Sequence, residues 1–286
     1  MNRHFLIAVS EEKSCLFGVR FVANFFSEMQ HINATFFYSA PKPPAVWDNE
    51  RSLEADLLQK EQGQKIMAKG KKGLENAIKE CVSLGCLKDN LQIKLQSRVF
   101  STAADIIREG ERGKYDAVVL GRRGLSMLEE AFDDSVSRAV FDQKLSFPVW
   151  LCRASHPQRK NVLLYLDGSE SCLRMADHVG FILSHENRHR LDILTCEKSS
   201  DITRAVEKCK SMLLDYGFPA DLVRHKSVIT DNVAGAILDG VNDEQYAAVA
   251  LGRSGTKRNL LQRLFKGPVC SILFKELNET ALWICH

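Results

Sequence analysis

The sequence predicts an α/β protein built as two tandem halves, each a five-stranded, mostly parallel sheet flanked by helices. Three observations carry that expectation. First, the chain repeats itself in order: "HFLIAVSEEKSC" (4–15) matches "NVLLYLDGSESC" (161–172), "STAADIIREGERGKYDAVVLGRRG" (101–124) matches "DNVAGAILDGVNDEQYAAVALGRSG" (231–255), and "FPVWLCR" (147–153) matches "TALWICH" (280–286). Second, short apolar runs alternate with segments of helical periodicity, the pattern of a parallel sheet whose crossovers lay helices on both faces. Third, a length of 286 residues suits two cores better than one.

The second half displays the elements in order. "NVLLYL" is a short continuous apolar run, as expected of a strand buried on both faces. A helix follows Asp167-Gly168-Ser169, with Leu173, Ala176, Val179 and Ile182 spaced along one side. "RLDILTC" is the next strand, and "ITRAVEKCKSMLLDYG" is a helix stopped by Gly217. "ADLVRHKS" is the third strand, "NVAGAILDGVN" the third helix, "YAAVALG" the fourth strand and "ALWIC" the fifth. The first half repeats this order but is longer, because Ser10 to Gly121 spans 111 positions and Asp167 to Gly252 only 85. The excess falls mostly in "SAPKPPAVWDNERSLEADLLQKEQGQKIMAKG", where the prolines of "APKPPA" force a loop and the charged segment after it reads as a longer second helix. "RASHPQRKN" (153–161) is the linker, so the expected domains are 1–153 and 160–286.

Composition narrows the function classes. A net charge of +3 spread over 39 basic and 36 acidic residues gives no electrostatic case for a nucleic-acid partner. The basic run "MAKGKKG" reads as the solvated face of a helix. No apolar run approaches the roughly 20 residues of a membrane span, and the N-terminus does not read as a signal peptide. The nine cysteines have no framework spacing, Cys81 and Cys86 being too far apart for C-x-x-C. Reduced, mostly buried thiols in a cytoplasmic protein are therefore expected.

Both halves run from the fourth strand straight into G-R-x-G. Ligands of open parallel sheets bind outside the carboxyl ends of the strands, and a glycine turn there lets backbone N–H groups approach an anion beside a helix N-terminus. The loop is not a Walker-type P-loop, and no G-x-G-x-x-G follows the first strand. The complete unit is more specific: apolar strand, D-G-S-E, alternating strands and helices, "LGRSG" or "LGRRG", a spacer and a closing strand. It resembles the universal stress protein family in tandem form, over nearly all of the chain. The resemblance implies two Rossmann-like (adenine nucleotide alpha hydrolase-like) domains. Nucleotide-binding members carry G-x-x-G-x9-G-[ST] after the fourth strand, for phosphates, and an Asp ending the first strand, for adenosine. The fifth strand commonly mediates dimer contacts, which implies an intramolecular pseudo-dimer here and a further homodimer of the whole chain.

The match carries different defects in the two halves. In the first, Gly121, Gly124 and Ser135 match, but Asp134 replaces the third glycine and Ser10 replaces the adenosine-binding Asp. A carboxylate about 4 Å from a phosphate charge costs on the order of 4 kcal/mol at an effective dielectric near 20, and even half of that exceeds tenfold in affinity. The first site is thus expected to be degenerate. In the second half Asp167, Gly168, Gly252 and Gly255 match; Gly267 lies two residues late, and Pro268 removes an N–H and a hydroxyl. Arg253, Lys257 and Arg258 supply compensating charge. By resemblance, Tyr165, Leu166, Asp167 and Gly168 lie at the base end of an ATP (or related adenine nucleotide) site, with or without Mg. Cys196 and Leu251 line its wall, and Gly252, Arg253, Gly255, Gly267 and Val269 form its phosphate end. Read without a ligand, the glycines are tight turns and Asp167 caps the first helix.

Other signals are weaker. "HENRH" (185–189) satisfies H-E-x-x-H, but it falls where a helix ends, so His185 and His189 are not expected to share a helical face. Glu129, Glu130, Asp133 and Asp134 read as a solvated face. No G-x-S-x-G elbow occurs, and no residue can be nominated as general base or nucleophile. The expectation is a stress-response regulator whose second half binds the nucleotide. The alternative is a scaffold that has lost nucleotide binding.

Overall fold

A computed structural model of the chain describes residues 1–11, 16–43, 53–121, 145–154, 156–252 and 268–285. Ten strands form one sheet: β1 (Arg3–Ala8), β2 (Ile32–Ala40), β3 (Leu91–Ser97), β4 (Ala117–Gly121), β5 (Val149–Cys152), β6 (Val162–Tyr165), β7 (Leu191–Thr195), β8 (Val223–Ser227), β9 (Ala248–Gly252) and β10 (Ala281–Cys285). Their order is β3-β2-β1-β4-β5-β10-β9-β6-β7-β8, so each half contributes five neighbouring strands in the same relative sequence. Eight of the nine pairings are parallel; β5 and β10 alone run antiparallel, with Trp150 opposite Trp283.

Seven helices of the described residues cover both faces: α1 (Phe17–Phe25), α2 (Leu53–Ser83), α3 (Thr102–Gly113), α4 (Glu170–Leu183), α5 (Ser200–Asp215), α6 (Val233–Glu244) and α7 (Pro268–Glu276). Strand alternation sends Phe5, Ile7, Val162 and Leu164 into the core beneath α1, α2, α4 and α5. Leu6, Leu163, Val249 and Leu251 go into the core beneath α3, α6 and α7. The segment 220–222, expected to begin the third strand of the second half, is instead a single 3-10 turn leading into β8. Helix α7 was not foreseen, because its first residue is Pro268. Proline is well tolerated there, since the first-turn N–H it lacks has no partner within the helix.

The joint between the halves is aromatic. The rings of Trp150 and Trp283 stack at 4.1 Å and 7°. Phe21 from α1 meets both edge-on, and His178 from α4 does the same from the other half. His178 Nε2 accepts the indole N–H of Trp150 at 3.1 Å. Phe21 offers Trp283 no such acceptor, and Trp283 Nε1 is buried without a partner among the described residues. The H-E-x-x-H segment belongs to this joint. Helix α4 ends at Leu183, before the motif. The buried Glu186 carboxylate accepts the backbone N–H and hydroxyl of Ser27 from the first half, and the His189 ring stacks on Phe25 at 4.3 Å. Arg3 answers from the first half, donating to the Ser184 carbonyl at the end of α4.

Helix α2 has 31 residues against 16 in α5, which accounts for most of the excess length of the first half. Its carboxyl end corrects an expectation. Cys81 and Cys86 form a disulfide, with Cα atoms 5.3 Å apart, so this pair is not reduced. The Cys86 N–H bonds to the Cys81 carbonyl at 3.0 Å, and Phe218 N–H bonds to the Leu213 carbonyl at the same distance after α5. Both are Schellman-type ends, which favour an apolar contact between the two residues so linked. Buried Leu213 and Phe218 make that contact in the second half, and the disulfide replaces it in the first. Closing so short a loop contributes roughly 2 kcal/mol. The other described cysteines are not disulfide-bonded.

Burial holds His178 far below an ordinary imidazole, down to about 3. The unfolded chain takes up its proton near pH 6.5 and the folded chain does not, so this contribution is complete above pH 6.5 and drains away as pH falls toward 3. Urea unfolding should show about 1 kcal/mol lost between pH 6 and 5 on this account. His178→Gln, whose amide can still accept from Trp150, should show a smaller loss over the same interval. Equal pH slopes for the two proteins would contradict the assignment.

Candidate functional site

The second-half site lies at the carboxyl ends of β6, β7, β8 and β9, where the strand order switches direction between β6 and β9. A cleft of about 660 Å³ opens there, lined by Tyr165, Cys196, Glu197, Lys198, Ile229, Thr230, Asp231 and Val233. This volume is within the range of small-molecule sites, roughly 300–1,000 Å³. Tyr165 ends β6 and pairs across to Leu251 of β9. With Cys196, Leu251 and Val269 it belongs to one face of the sheet. Burial, and then the neighbouring Asp167 carboxylate, push the Tyr165 phenol above its ordinary range. Cys172 is pushed up to about 12 by the same two causes. Burial raises Cys196 as well. At neutral pH these groups are un-ionised, so the cleft offers an amphipathic binding wall and no thiolate nucleophile.

Asp167 is exposed beside the cleft, and its Oδ1 accepts the Ser169 N–H at 2.9 Å. The cap of α4 is Ser169, whose hydroxyl accepts the Cys172 N–H at 3.3 Å. Asp167 is thus one step removed from the capping role expected of it: it braces the turn, with Gly168 in the left-handed region at φ 79°. Leu166 departs from expectation. Strand alternation buries its side chain in the opposite core, and its N–H bonds to the Leu194 carbonyl. Gly252 is demanded by packing, because a Cβ there would stand 2.1 Å from the backbone nitrogen of Cys172 in the first turn of α4. Arg253, Gly255, Gly267, Lys257 and Arg258 lie outside the described residues. Pro268 begins α7, and Val269 packs half-buried on the core.

The first half arranges the same strand ends differently. Gly121 closes β4, while Gly124, Asp134, Ser135, Glu129, Glu130 and Asp133 lie outside the described residues. Ser10 stands where Asp167 does, its hydroxyl buried and without a partner among the described residues. Glu11 takes the place of Gly168 and accepts the Tyr38 hydroxyl at 2.5 Å. The glycine has moved to the helix opposite: a Cβ on Gly73 of α2 would lie 3.0 Å from the Ser10 carbonyl oxygen, whereas Gly168 faces Ile202 and Ala205 of α5. Close approach is kept by exchanging which partner is small. Asp105 of α3 then stands at the strand ends that match the cleft. Its buried carboxylate accepts the Ser39 hydroxyl at 2.7 Å and the Val99 and Phe100 N–H groups at 3.0 and 3.4 Å. Ser39 is the counterpart of Cys196, and Ala236 is the counterpart of Asp105.

Several residues here escaped the sequence reading. Glu197, Lys198, Ile229, Thr230, Asp231 and Val233 carry no motif. Their signal was positional, since each lies just beyond the carboxyl end of β7 or β8 or opens α6. Asp105 looked like an ordinary acidic residue of a first helical turn.

No protein-family model and no curated protein matches the sequence. Solved structures do. A universal stress protein from Archaeoglobus fulgidus DSM 4304 aligns over 99% of this chain and 97% of its own, with a TM-score of 0.65 and 15% identity. A putative universal stress protein from Pseudomonas aeruginosa UCBPP-PA14 covers 99% of this chain and 93% of its own, with a TM-score of 0.51 and 13% identity. A universal stress protein in complex with cAMP aligns with 44% of this chain at a TM-score of 0.36, too slight a likeness to carry its ligand across. The fold is therefore that of the universal stress proteins, spanning both halves. Among the described residues no helix is long and apolar enough to cross a membrane, and no cluster of three potential ligands could hold a metal ion.

Asp105→Ala should strand the three donors that its carboxylate satisfies, destabilising the protein by about 3 kcal/mol in urea. Asp105→Asn, which keeps an acceptor, should lose less. If both variants unfold with the wild-type midpoint, the carboxylate does not hold these three donors in place.

Proposed function

We propose that this protein is a tandem universal stress protein, with units at 1–153 and 160–286, that acts as a regulator by binding an adenine nucleotide in its second unit. The observation that carries the reading is the cleft at the ends of β6, β7 and β8, where Tyr165 and Cys196 line the wall with Asp167 alongside. An exposed carboxylate at the end of a first parallel strand is suited to accept ribose hydroxyls. The half-buried phenol and the apolar side chains of Ile229 and Val233 suit the face of a base. Ligand binding would regulate by favouring one conformation or partner over another. The antiparallel pairing of β5 with β10 supports reading the chain as a pseudo-dimer closed within one polypeptide.

A specific observation favours the alternative, a nucleotide-independent scaffold, for the first unit. There Ser10 stands in place of the carboxylate, and the buried Asp105 carboxylate accepts the Ser39 hydroxyl and the Val99 N–H at the strand ends. The two readings are thus assigned to different halves of one chain.

Thermal denaturation with adenosine, AMP, cAMP and ATP-Mg tests the binding. At tenfold excess over Kd a ligand stabilises by about 1.4 kcal/mol, which raises Tm by roughly 3 °C in a chain of this size. At least one of the four should do so for wild type and fail with Asp167→Ala. If none shifts the wild type at millimolar concentration, the second unit is a scaffold too.

A further inference from the structure

We infer that this protein has a second ligand site, between the carboxyl ends of α6 and α7, which takes a small aliphatic diamine. A cleft of about 220 Å³ lies there. Thr280 on its lining immediately precedes β10, so the cleft is at the strand ends opposite those near Tyr165. Leu238, Val241 and Leu277 give it an apolar surface and belong to the core beneath α6 and α7. At one end the Arg159 guanidinium is already engaged, donating to the Thr280 hydroxyl at 3.1 Å and pairing with the Glu279 carboxylate. Asn242, Gln245, Asn278 and Glu276 make an exposed rim. Each of these four accepts hydrogen bonds through a side-chain oxygen, and Glu276 adds a negative charge. The space equals about seven water volumes, which suits a ligand of about that many non-hydrogen atoms.

The electrostatics follow from how the helices end. The last carbonyls give a carboxyl end partial negative charge, which basic side chains in the last turn offset. Helix α3 of the first half obeys that rule. Arg112 stands in its last turn, and Lys114 follows in the left-handed region at φ 51°. In the second half the repeat aligns Tyr246 with Tyr115, which sets Asp243 at the place of Arg112 and Gln245 at that of Lys114. Gln245 keeps the left-handed backbone, at φ 52°, so the cap geometry survives and its cation is lost. No basic residue lies in the last turn of α6. Glu244 of that turn is answered from β8 and the start of β7 by Lys226 and Arg190, and Asp243 is exposed. The neighbouring side chains change as well. In the first half the Phe147 ring lies over Gly110, where a Cβ would stand 2.7 Å from it, and Ser146 donates its N–H and hydroxyl to Glu111. Counting back from Trp150 and Trp283, the smaller Thr280 stands where Phe147 does.

The α7 side shows which charge this surface recruits. Lys275 lies in the last turn of α7, and the linker sends Arg153 to the Lys275 carbonyl at 3.2 Å and Arg159 to the turn beyond. Between those cations and α6 the lining offers amide oxygens, the Glu276 carboxylate and a helix end of negative sign. An ammonium group donates in three directions and suits such acceptors, and a methylene chain can lie along the apolar surface. Gln245 follows α6 and Glu276 ends α7, so acceptors stand on both walls. Two ammonium groups on one short chain therefore match the cleft better than one.

Isothermal titration of the full-length protein with 1,4-diaminobutane, butylamine and 1,4-butanediol tests the site. The diamine should bind at one equivalent, butylamine about fivefold more weakly, and the diol should not bind. Added salt should weaken the diamine. Gln245→Lys, which restores the residue of the first half, should weaken it at least about fivefold while leaving the unfolding midpoint at or above that of wild type. Glu276→Gln should weaken it about two- to fivefold. Diamine binding that is unchanged in Gln245→Lys would place the ligand elsewhere and overturn the inference. So would binding of butylamine or the diol as tightly as the diamine, or no diamine binding at millimolar concentration.

Discussion

The stacked pair Trp150–Trp283 is the constraint on which the rest of the molecule depends. It sits where β5 and β10 meet, with Phe21 and His178 edge-on from either side and Phe25 closing over Trp283. A strand of four or five residues with a lone neighbour makes a weak edge, and pairing the two removes that edge from each half. Because the pairing is antiparallel, the parallel strands of one half run opposite to those of the other. The carboxyl ends at Gly121 and at Gly252 therefore lie on opposite rims of the sheet. No ligand can be shared between them, and each half is free to keep or lose its site.

That freedom shows in how the two rims differ. The second half keeps a carboxylate at the end of its first strand, a left-handed glycine after it and an open space beyond. The first half has Ser10 and Glu11 in those places, moves the small residue to Gly73 of the crossing helix, and sets the Asp105 carboxylate against Ser39 and Val99. A single buried carboxylate satisfying three donors is a stabilising arrangement. The same logic explains the disulfide, which holds the end of α2 where a leucine and a phenylalanine hold the end of α5.

Much of this was legible in the sequence because the chain states it twice. The repeats at 4–15 and 161–172, and the two G-R-x-G loops, mark the first and fourth strands of each half and so the tandem order of the sheet. The resemblance implies a place for Tyr165 and Cys196 at the site, and both line the cleft. Other features depended on contacts that no spacing reveals. The resemblance implies a place in the site for Leu166, yet strand pleating turns its side chain into the opposite core. Cys81 and Cys86 looked like unrelated thiols until the helix end brought them together. Asp105 and the cleft residues 229–231 act through tertiary position alone. Helix α7 was hidden by a proline that, at a first helical position, does no harm.

The central claim is that one rim of this sheet binds an adenine compound and the other does not. Photolabelling with 8-azidoadenosine, followed by peptide mapping, measures that division most directly. The account predicts label on peptides carrying Tyr165, Cys196 or Ile229–Val233, competed away by unlabelled adenosine. Saturable, competed label on first-half peptides around Ser10, Ser39 or Val99 would contradict it.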